Sequence, residues 1–377
     1  MLKLHFLNVE NGDCIVVEFV DGVNRSFGLI DCNRTPRRAS PALDKLQALG
    51  ADELQFVCIT HPDADHYTGI LDVLRAYDGR ISSFLTFPLS TLLTDQSRLK
   101  KYADKLLELV ARGDDEDVAS RHLEFVEILD FARKKFLPND WIEVTGDHDR
   151  IGISGFNGVE FYGIGPPKKM RGAIVQSVLD PGAFSKVDNN EVSVAMEIRF
   201  AGRRITLGGD AINDNWVWHR KYREKLGLTI TSDLVKLPHH GSRYDNSKET
   251  LADFFSGQTA SIAIISAGGR SHPDLETLEA LDELPCTRLC TNLFNPNKKV
   301  LKRLYNNNSI STALQNYLNI YANPTTAVPQ TCKGDICISI HTDGSITTGT
   351  EYNPLCPCTP DLDIFTGRPT LPSAPAI

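Results

Sequence analysis

Short runs in which apolar residues alternate with polar ones, or stand four or five together, recur along the chain between turn-forming segments. LKLHFLNV (2–9), CIVVEFV (14–20) and SFGLIDC (26–32) are divided by VENGD and DGVNR, a pattern that predicts an antiparallel meander of strands. Further strands are predicted at LQFVCIT (54–60), VEFYGIG (159–165), VSVAMEIRF (192–200), RRITLGG (203–209), DLVKLP (233–238), ASIAIISA (260–267), TRLCTN (287–292) and DICISIHT (335–342). Helical spacing alternates with many of these, at PALDKLQAL (41–49), after His66, at 213–226, 247–255, 274–284 and 297–318. The mixture predicts an α+β fold in which helices cover sheets.

Residues 95–137 are charged and helix-patterned, interrupted by ARGDDEDVAS, and predict an inserted pair of helices. The end of the chain, TGRPTLPSAPAI, is rich in proline and small residues, so residues 346–377 are expected to form a cysteine- and proline-bearing tail after a domain at 1–345. A length of 377 residues fits one large domain or two modest ones, and 41% hydrophobic with 23% charged residues fits a globular protein. The net charge of −8 speaks against a broad basic face for nucleic acid, though not against a local basic rim. MLKLHFLNVENGD lacks the apolar core of a signal peptide, and no apolar run reaches the ~20 residues of a membrane span, so a cytoplasmic protein without membrane insertion is expected. Cys14, Cys32 and Cys58 lie in strand-like runs, where reduced thiols serve as small buried hydrophobes. Cys332, Cys337, Cys356 and Cys358 lack the paired spacing of a zinc knuckle and read as free thiols or a late disulfide.

The stretch CITHPDADHYTG (58–69) changes the picture. It places His61, Asp63, Asp65 and His66 at the C-terminal end of a buried strand, where α/β folds concentrate their chemistry. Helix capping accounts for one aspartate, but carboxylates crowded this closely repel unless a cation compensates them. Chelation of one or two divalent ions is the reading that uses all four residues. Asp210 closes ITLGGD, and Gly208 and Gly209 let the backbone pass close to a neighbour. His239 and His240 follow LVKLP; side chains adjacent on an extended backbone point apart, so one ligand and one second residue facing the substrate are expected, with His239 preferred as the ligand.

In order and spacing, FLNVENGDCIVVEF, GLIDCN with Asp31, the HxDxDH motif, NNEVSVAMEIRFAGRRITLGGD, LVKLPHHGS and ISAGGRSHP resemble the metallo-β-lactamase-like hydrolases, in the variant whose second motif histidine is aspartate. Within them the chain is similar to the hydrolase domain of ComEC-type competence DNA-uptake proteins and their stand-alone relatives, over roughly residues 1–345. The resemblance implies a four-layer αββα sandwich with the metal site at one edge and Asp210 bridging two metals. It implies that Asn190 stands where many relatives carry another histidine ligand, which leaves it facing the substrate, and that His272 addresses the substrate phosphate or the leaving group.

Two ions sharing a hydroxide would attack a phosphoryl or acyl centre in line, with Asp65 both ligating and orienting the water. The oxygen-rich donor set admits Zn2+, Mn2+ or Mg2+. Arg34, Arg37, Arg38, Lys168, Lys169 and Arg171 are candidates for a rim that grips phosphates, and Ser242 for a donor to substrate or a loop-stabilising residue. Three functions follow: a phosphodiesterase or nuclease acting on DNA, single-stranded DNA being one substrate; a hydrolase of a small phosphoester such as a cyclic nucleotide; or a metal-stabilised sensor in a multi-protein system. The insertion and the C-terminal segment are open to self-association or a protein partner.

Overall fold

The computed structural model describes residues 1–36, 38–89, 116–136, 139–168, 189–256, 261–268, 272–291 and 334–351. Fifteen strands among them form two sheets. The first runs in the order β15 (Ile346–Glu351), β14 (Asp335–Ile340), β1 (Leu2–Phe6), β2 (Cys14–Asp21), β3 (Asn24–Cys32), β4 (Phe56–Ile59), β5 (Phe84–Thr86), β6 (Trp141–Glu143). It is antiparallel from β15 to β3 and parallel from β3 to β6. The second repeats this plan in the order β13 (Cys286–Cys290), β12 (Ser261–Ile265), β11 (Leu234–Lys236), β10 (Arg203–Leu207), β9 (Ala195–Phe200), β8 (Glu160–Gly165), β7 (Arg150–Ile151). Its strands are parallel from β13 to β10 and antiparallel from β10 to β7. Strand β1 shows why the sheets pack: Leu2, Leu4 and Phe6 are fully buried, while Lys3 and His5 occupy the alternate positions.

Between the sheets lies a core in which Phe19 and Phe56 of the first meet Phe161 and Phe200 of the second. Phe56 and Phe161 stand edge to face at 5.6 Å, as do Phe19 and Phe200 at 5.7 Å, and Phe156 fills the space among them. Each such ring contributes roughly 1.5–3 kcal/mol by leaving water. Helices α1 (Pro41–Ala48), α3 (Ile70–Ala76) and α4 (Glu116–Phe136) cover the outer face of the first sheet, after the short α2 (Ala64–Tyr67). Helices α5 (Asn213–Lys225), α6 (Lys248–Phe255) and α7 (Leu275–Asp282) cover the second, around Trp216, Phe254, Phe255, Leu278 and Leu281. The result is the α+β class and the layer order helix, sheet, sheet, helix expected from the sequence.

Helix α4 is the described part of the expected insertion; its first half lies outside the described residues, as does the helix expected at 297–318. Phe125, Ile128, Leu129, Ala132 and Phe136 are buried at helical spacing, and the Phe125 ring packs at a tilt against Tyr67, centroids 4.9 Å apart. The insertion thus braces α2, the helix that carries Asp65 and His66 of the HxDxDH motif. Four strands went unread in the sequence. Strands β5, β6 and β7 have two or three residues each, too few for alternation to register. Strand β15 lies beyond residue 345, and its threonine-rich ITTGTE pairs with β14 along its whole length. Cys14, Cys32 and Cys58 are buried as expected. Cys332, Cys356 and Cys358 lie outside the described residues, and among the described helices none is long and apolar enough to cross a membrane.

Candidate metal centre

The parallel strands β3, β4, β10 and β11 end at one edge of the sandwich, and the loops leaving them meet there. Strand β4, four buried residues, delivers Thr60 and His61; the chain then turns at Pro62 into α2. Asp63 occupies the cap position of α2, yet its side chain makes no capping bond. Oδ1 of Asp63 instead accepts from Asn189 Nδ2 at 2.6 Å, and Oδ2 lies 3.4 Å from His61 Nε2. Capping therefore does not account for this aspartate.

Three imidazoles are oriented by their Nδ1 atoms. Buried Asp31 at the end of β3 accepts from Thr60 N (2.8 Å), Thr60 Oγ1 (2.6 Å) and His66 Nδ1 (2.7 Å). Because Thr60 Oγ1 gives its proton to Asp31, it accepts one from His61 Nδ1 at 3.0 Å. His240 Nδ1 donates to Ser266 O at 2.8 Å. In its neutral form each ring then directs an Nε2 lone pair inward. His66 Nε2 lies 3.3 Å and His240 Nε2 3.2 Å from Asp210 Oδ2, and the two Nε2 atoms are 3.4 Å apart. His61 Nε2 lies 3.9 Å from the same oxygen and has no hydrogen-bond partner among the described residues; neither does Asp210 Oδ1. Asp65 Oδ2 is 3.7 Å from His240 Nε2, and its side chain, 37% exposed, is the one most open to solvent among Asp65, Asp63, Asp210 and these histidines. Donor atoms of His61, His66 and Asp210 lie within 4.8 Å of one another, as do those of Asp65, His66 and His240. Electron-pair donors packed this closely, with their protons tied elsewhere, suit a divalent cation.

The carboxylates also act on the protonation of these groups. Burial opposes a charge on His66, but Asp210 and Asp31 outweigh it and hold the imidazolium well above its ordinary range. Burial likewise opposes ionised Asp210, and His240 and His66 outweigh it, taking that carboxyl well below the usual range. Asp63 falls to about 2, its burial overcome by His61 and Asn189.

Residues that sequence reasoning missed complete the centre. Lys236, fully buried on β11, pairs with Asp13, donates to Gly209 O at 2.9 Å and lies 3.7 Å from Asp210 Oδ1. A lone lysine in an apolar strand was the available signal. Ser193 Oγ accepts from Asp210 N at 2.8 Å, and a Cβ at Gly209 would lie 2.6 Å from that oxygen and 2.5 Å from Val194 O. A Cβ at Gly12 would lie 2.0 Å from Asp65 O, so the loop before β2 packs directly on the motif.

His239 departs from expectation. Residues 239 and 240 are not extended but both left-handed, with φ of 45° and 52°, so the premise that ranked them does not apply. His240 turns into the cluster, whereas His239 places Nδ1 2.6 Å from Asp245 Oδ2 and its ring 5.4 Å from that of His272. Burial opposes its charge, but Asp245 and then Asp210 raise it above the ordinary histidine value. Burial depresses His272, whose Nδ1 is 3.7 Å from Asp274 Oδ2.

Asn190 is buried in the turn before β9 beside Asn189, the residue that contacts Asp63. Ser242 is buried too; its N–H donates to His239 O at 2.8 Å and closes the turn. The described members of the expected rim, Arg34, Arg38 and Lys168, each have a carboxylate partner. Arg38 makes a bidentate pair with Asp335 at 2.7 and 3.2 Å, Arg34 bonds Asp72 and Glu124, and Lys168 lies 3.5 Å from Asp147. Arg37, Lys169 and Arg171 lie outside the described residues.

The chain matches no family model and no curated protein. Among solved structures it is similar to a mutant of the CmlA β-hydroxylase, with 13% identity, 76% of this chain and 52% of that one covered, and a TM-score of 0.39. It spans about half the length of that protein. It is also similar to a diphosphatase of the PhnP family (16% identity, 74% and 80% covered, TM-score 0.34) and to the short form of human tRNase Z (12% identity, 79% and 94% covered, TM-score 0.35).

Proposed function

We propose that the chain is a metal-dependent hydrolase of phosphoesters. The observation that carries this reading is the meeting of His66 Nε2 and His240 Nε2 on Asp210 Oδ2, at 3.3 and 3.2 Å, with both Nδ1 protons bound elsewhere. His61 and Asp63 would hold one ion, Asp65, His66 and His240 a second, with Asp210 between them. Asp13, Asp31, Asp63, Asp65 and Asp210 face one lysine, Lys236; with neutral imidazoles this leaves four negative charges, the charge that two divalent cations balance. Nitrogen and oxygen donors in this proportion suit Zn2+, Mn2+ or Mg2+. Such ions lower the pKa of water and stabilise charge developing on a phosphoryl oxygen.

The chain's own residues supply orientation. Solvent-accessible Asp65 positions water for in-line attack, and Asp31, Thr60 and Ser266 keep the imidazoles aimed. His239, 26% exposed and held toward its cationic form by Asp245, presents positive charge beside the cluster, which suits an anionic substrate better than a neutral lactam or lactone. His272 stands beside it, where it would address the substrate phosphate or the leaving oxygen. Because Arg34 and Arg38 are committed to carboxylates, a small phosphoester, such as a cyclic nucleotide, is favoured over a long polyanion. The ComEC-type motif order supports cleavage of DNA as the second reading. The domain doing this work is taken as residues 1–345 plus β15, and the buried thiols of Cys14, Cys32 and Cys58 fit a cytoplasmic setting.

The test is hydrolysis of labelled single-stranded DNA and of a small generic phosphodiester by metal-stripped protein refilled with Mn2+, Zn2+ or Mg2+, with Asp65→Ala as control. Metal-dependent turnover that falls at least a hundredfold in Asp65→Ala is expected. Silence on both substrates with every ion, or equal turnover by Asp65→Ala, overturns the proposal, and the substrate cleaved separates its two forms.

A further inference from the structure

A second charged cluster lies at the far ends of β9 and β10, six residues before Asp210 and thus roughly 20 Å from it along the strand. The hairpin turn Ala201–Gly202, both residues at positive φ, joins the strands, and Arg199 pairs across them with Arg204. Arg199, Arg203 and Arg204 line a cleft of about 320 Å³ there, with Glu160 and the turn itself.

The charges in this cluster do not balance. Glu197, buried, is shared by three guanidinium groups: Arg199 Nη2 at 2.6 Å, Arg223 Nη1 at 3.2 Å and Arg204 Nε at 3.4 Å. Arg203 has Asp233 at 2.8 Å, so four arginines face two carboxylates. Glu160 does not close the gap, because Arg150 lies 3.7 Å from it. His148, its ring nitrogens 3.2 Å from Arg199 Nη2 and 3.3 Å from Arg223 Nη1, adds no negative charge and, as a neutral imidazole, accepts from one of the two. On a chain of net charge −8, three of these arginines line one cleft and the fourth, Arg223, is buried behind it, so the cleft is a local positive site that favours an anion.

The guanidinium groups are also fixed in place. Arg199 stacks on Tyr162 at 4.5 Å while bonding Glu197; Arg204 Nη1 donates to Thr229 O and Thr231 O; Arg203 Nε donates to Gly344 O at 2.6 Å. Among the described residues Arg199 Nη1, Arg203 Nη2 and Arg204 Nη2 have no partner, and the three side chains are 31%, 33% and 25% exposed. Preset forks with spare N–H groups are the way proteins hold tetrahedral oxyanions at small entropic cost.

We propose that this cleft is a second binding site, separate from the metal centre, that takes the phosphate group of a small phosphorylated ligand on Arg199, Arg203 and Arg204. Its volume exceeds that of the phosphate alone and falls in the range of small-ligand pockets, which start near ~300 Å³. The site does not depend on the proposed hydrolase activity.

The test is calorimetric titration of full-length protein, metal-loaded and after chelation and dialysis, with inorganic phosphate and with a nucleoside 5′-monophosphate. Saturable binding that survives metal removal and weakens at least tenfold in Arg199→Gln and in Arg203→Gln is expected. Arg203→Gln guards against misfolding, since Arg203 has no bond to Glu197, and circular dichroism monitors both variants. Tighter binding of the monophosphate would assign the cleft to an organic phosphate, and equal binding to phosphate itself. Absence of saturable binding by either ligand after metal removal, or equal affinity in a folded Arg203→Gln protein, overturns the proposal.

Discussion

His239 and His240 are neighbours in sequence with opposite roles in space, and the difference is measurable. His240 Nε2 faces Asp210 and Asp65, so His240→Ala should remove a ligand and lower metal content per chain, read by elemental analysis. His239→Ala should keep the metal and lose turnover, because His239 is tied to Asp245 outside the donor cluster. Equal metal loss in both variants would contradict this assignment. Asp31 sits one step back: Asp31→Asn weakens the acceptor for His66 Nδ1, and metal affinity should fall about 10–100-fold, the usual effect of losing a residue that orients a ligand. Metal must also displace the proton that Asp210 and Asp31 favour on His66, so affinity should drop as pH falls and binding should release protons to the buffer. Which of the two histidines turned inward was not legible in the sequence, since it depends on two left-handed residues that neither sequence pattern nor side-chain preference announces. The HxDxDH spacing was legible because carboxylates and imidazoles crowded after a buried strand repel or go unpaired unless a cation gathers them.

At the level of elements, the long strands and amphipathic helices were readable and the two- and three-residue strands were not, because a period needs several repeats to show. Position alone was also a poor guide to Arg34 and Arg38: both follow β3 as expected, but carboxylates from α3, α4 and β14 claim them. The same logic explains Glu18, buried on β2 with Lys3 and His5 of β1 and Arg25 of β3 around it. Burial would raise its pKa, but His5, Arg25 and Lys3 reverse that and bring it to about 2 from 4.5. A carboxyl depressed in the folded state stabilises above its unfolded pKa, and that contribution is lost as pH falls from 4.5 toward 2. Discounted for the solvent around Arg25, it is on the order of 1–2 kcal/mol. Glu18→Gln should therefore lower Tm at neutral pH and flatten the acid side of the Tm–pH curve over that window; an unchanged acid limb would show that the strands are held together by packing alone.

For the whole molecule, the donor set has a mechanical consequence. His61, Asp63, Asp65 and His66 come from loops of the first sheet, and Asp210 and His240 from loops of the second, so an ion held by both sets fastens the two halves of the sandwich at one edge. The halves also share the aromatic core between the sheets and, at this edge, the Lys236–Asp13 pair, the Asn189–Asp63 bond and the bond from Val194 N to Thr60 O. A ligand that binds only the folded chain stabilises it by mass action, about 4 kcal/mol at a thousandfold excess over Kd. Thermal unfolding should accordingly rise with metal concentration and fall on chelation, as a single transition if the halves unfold together. Glu18→Gln, remote from the cluster, should start from a lower Tm and gain the same metal-dependent increment. His240→Ala should lose the increment, because the second sheet's histidine is then missing from the bridge. If His240→Ala kept the full increment, the ion would be held by the first sheet alone, and the centre would be a local loop site rather than a clasp between the two halves.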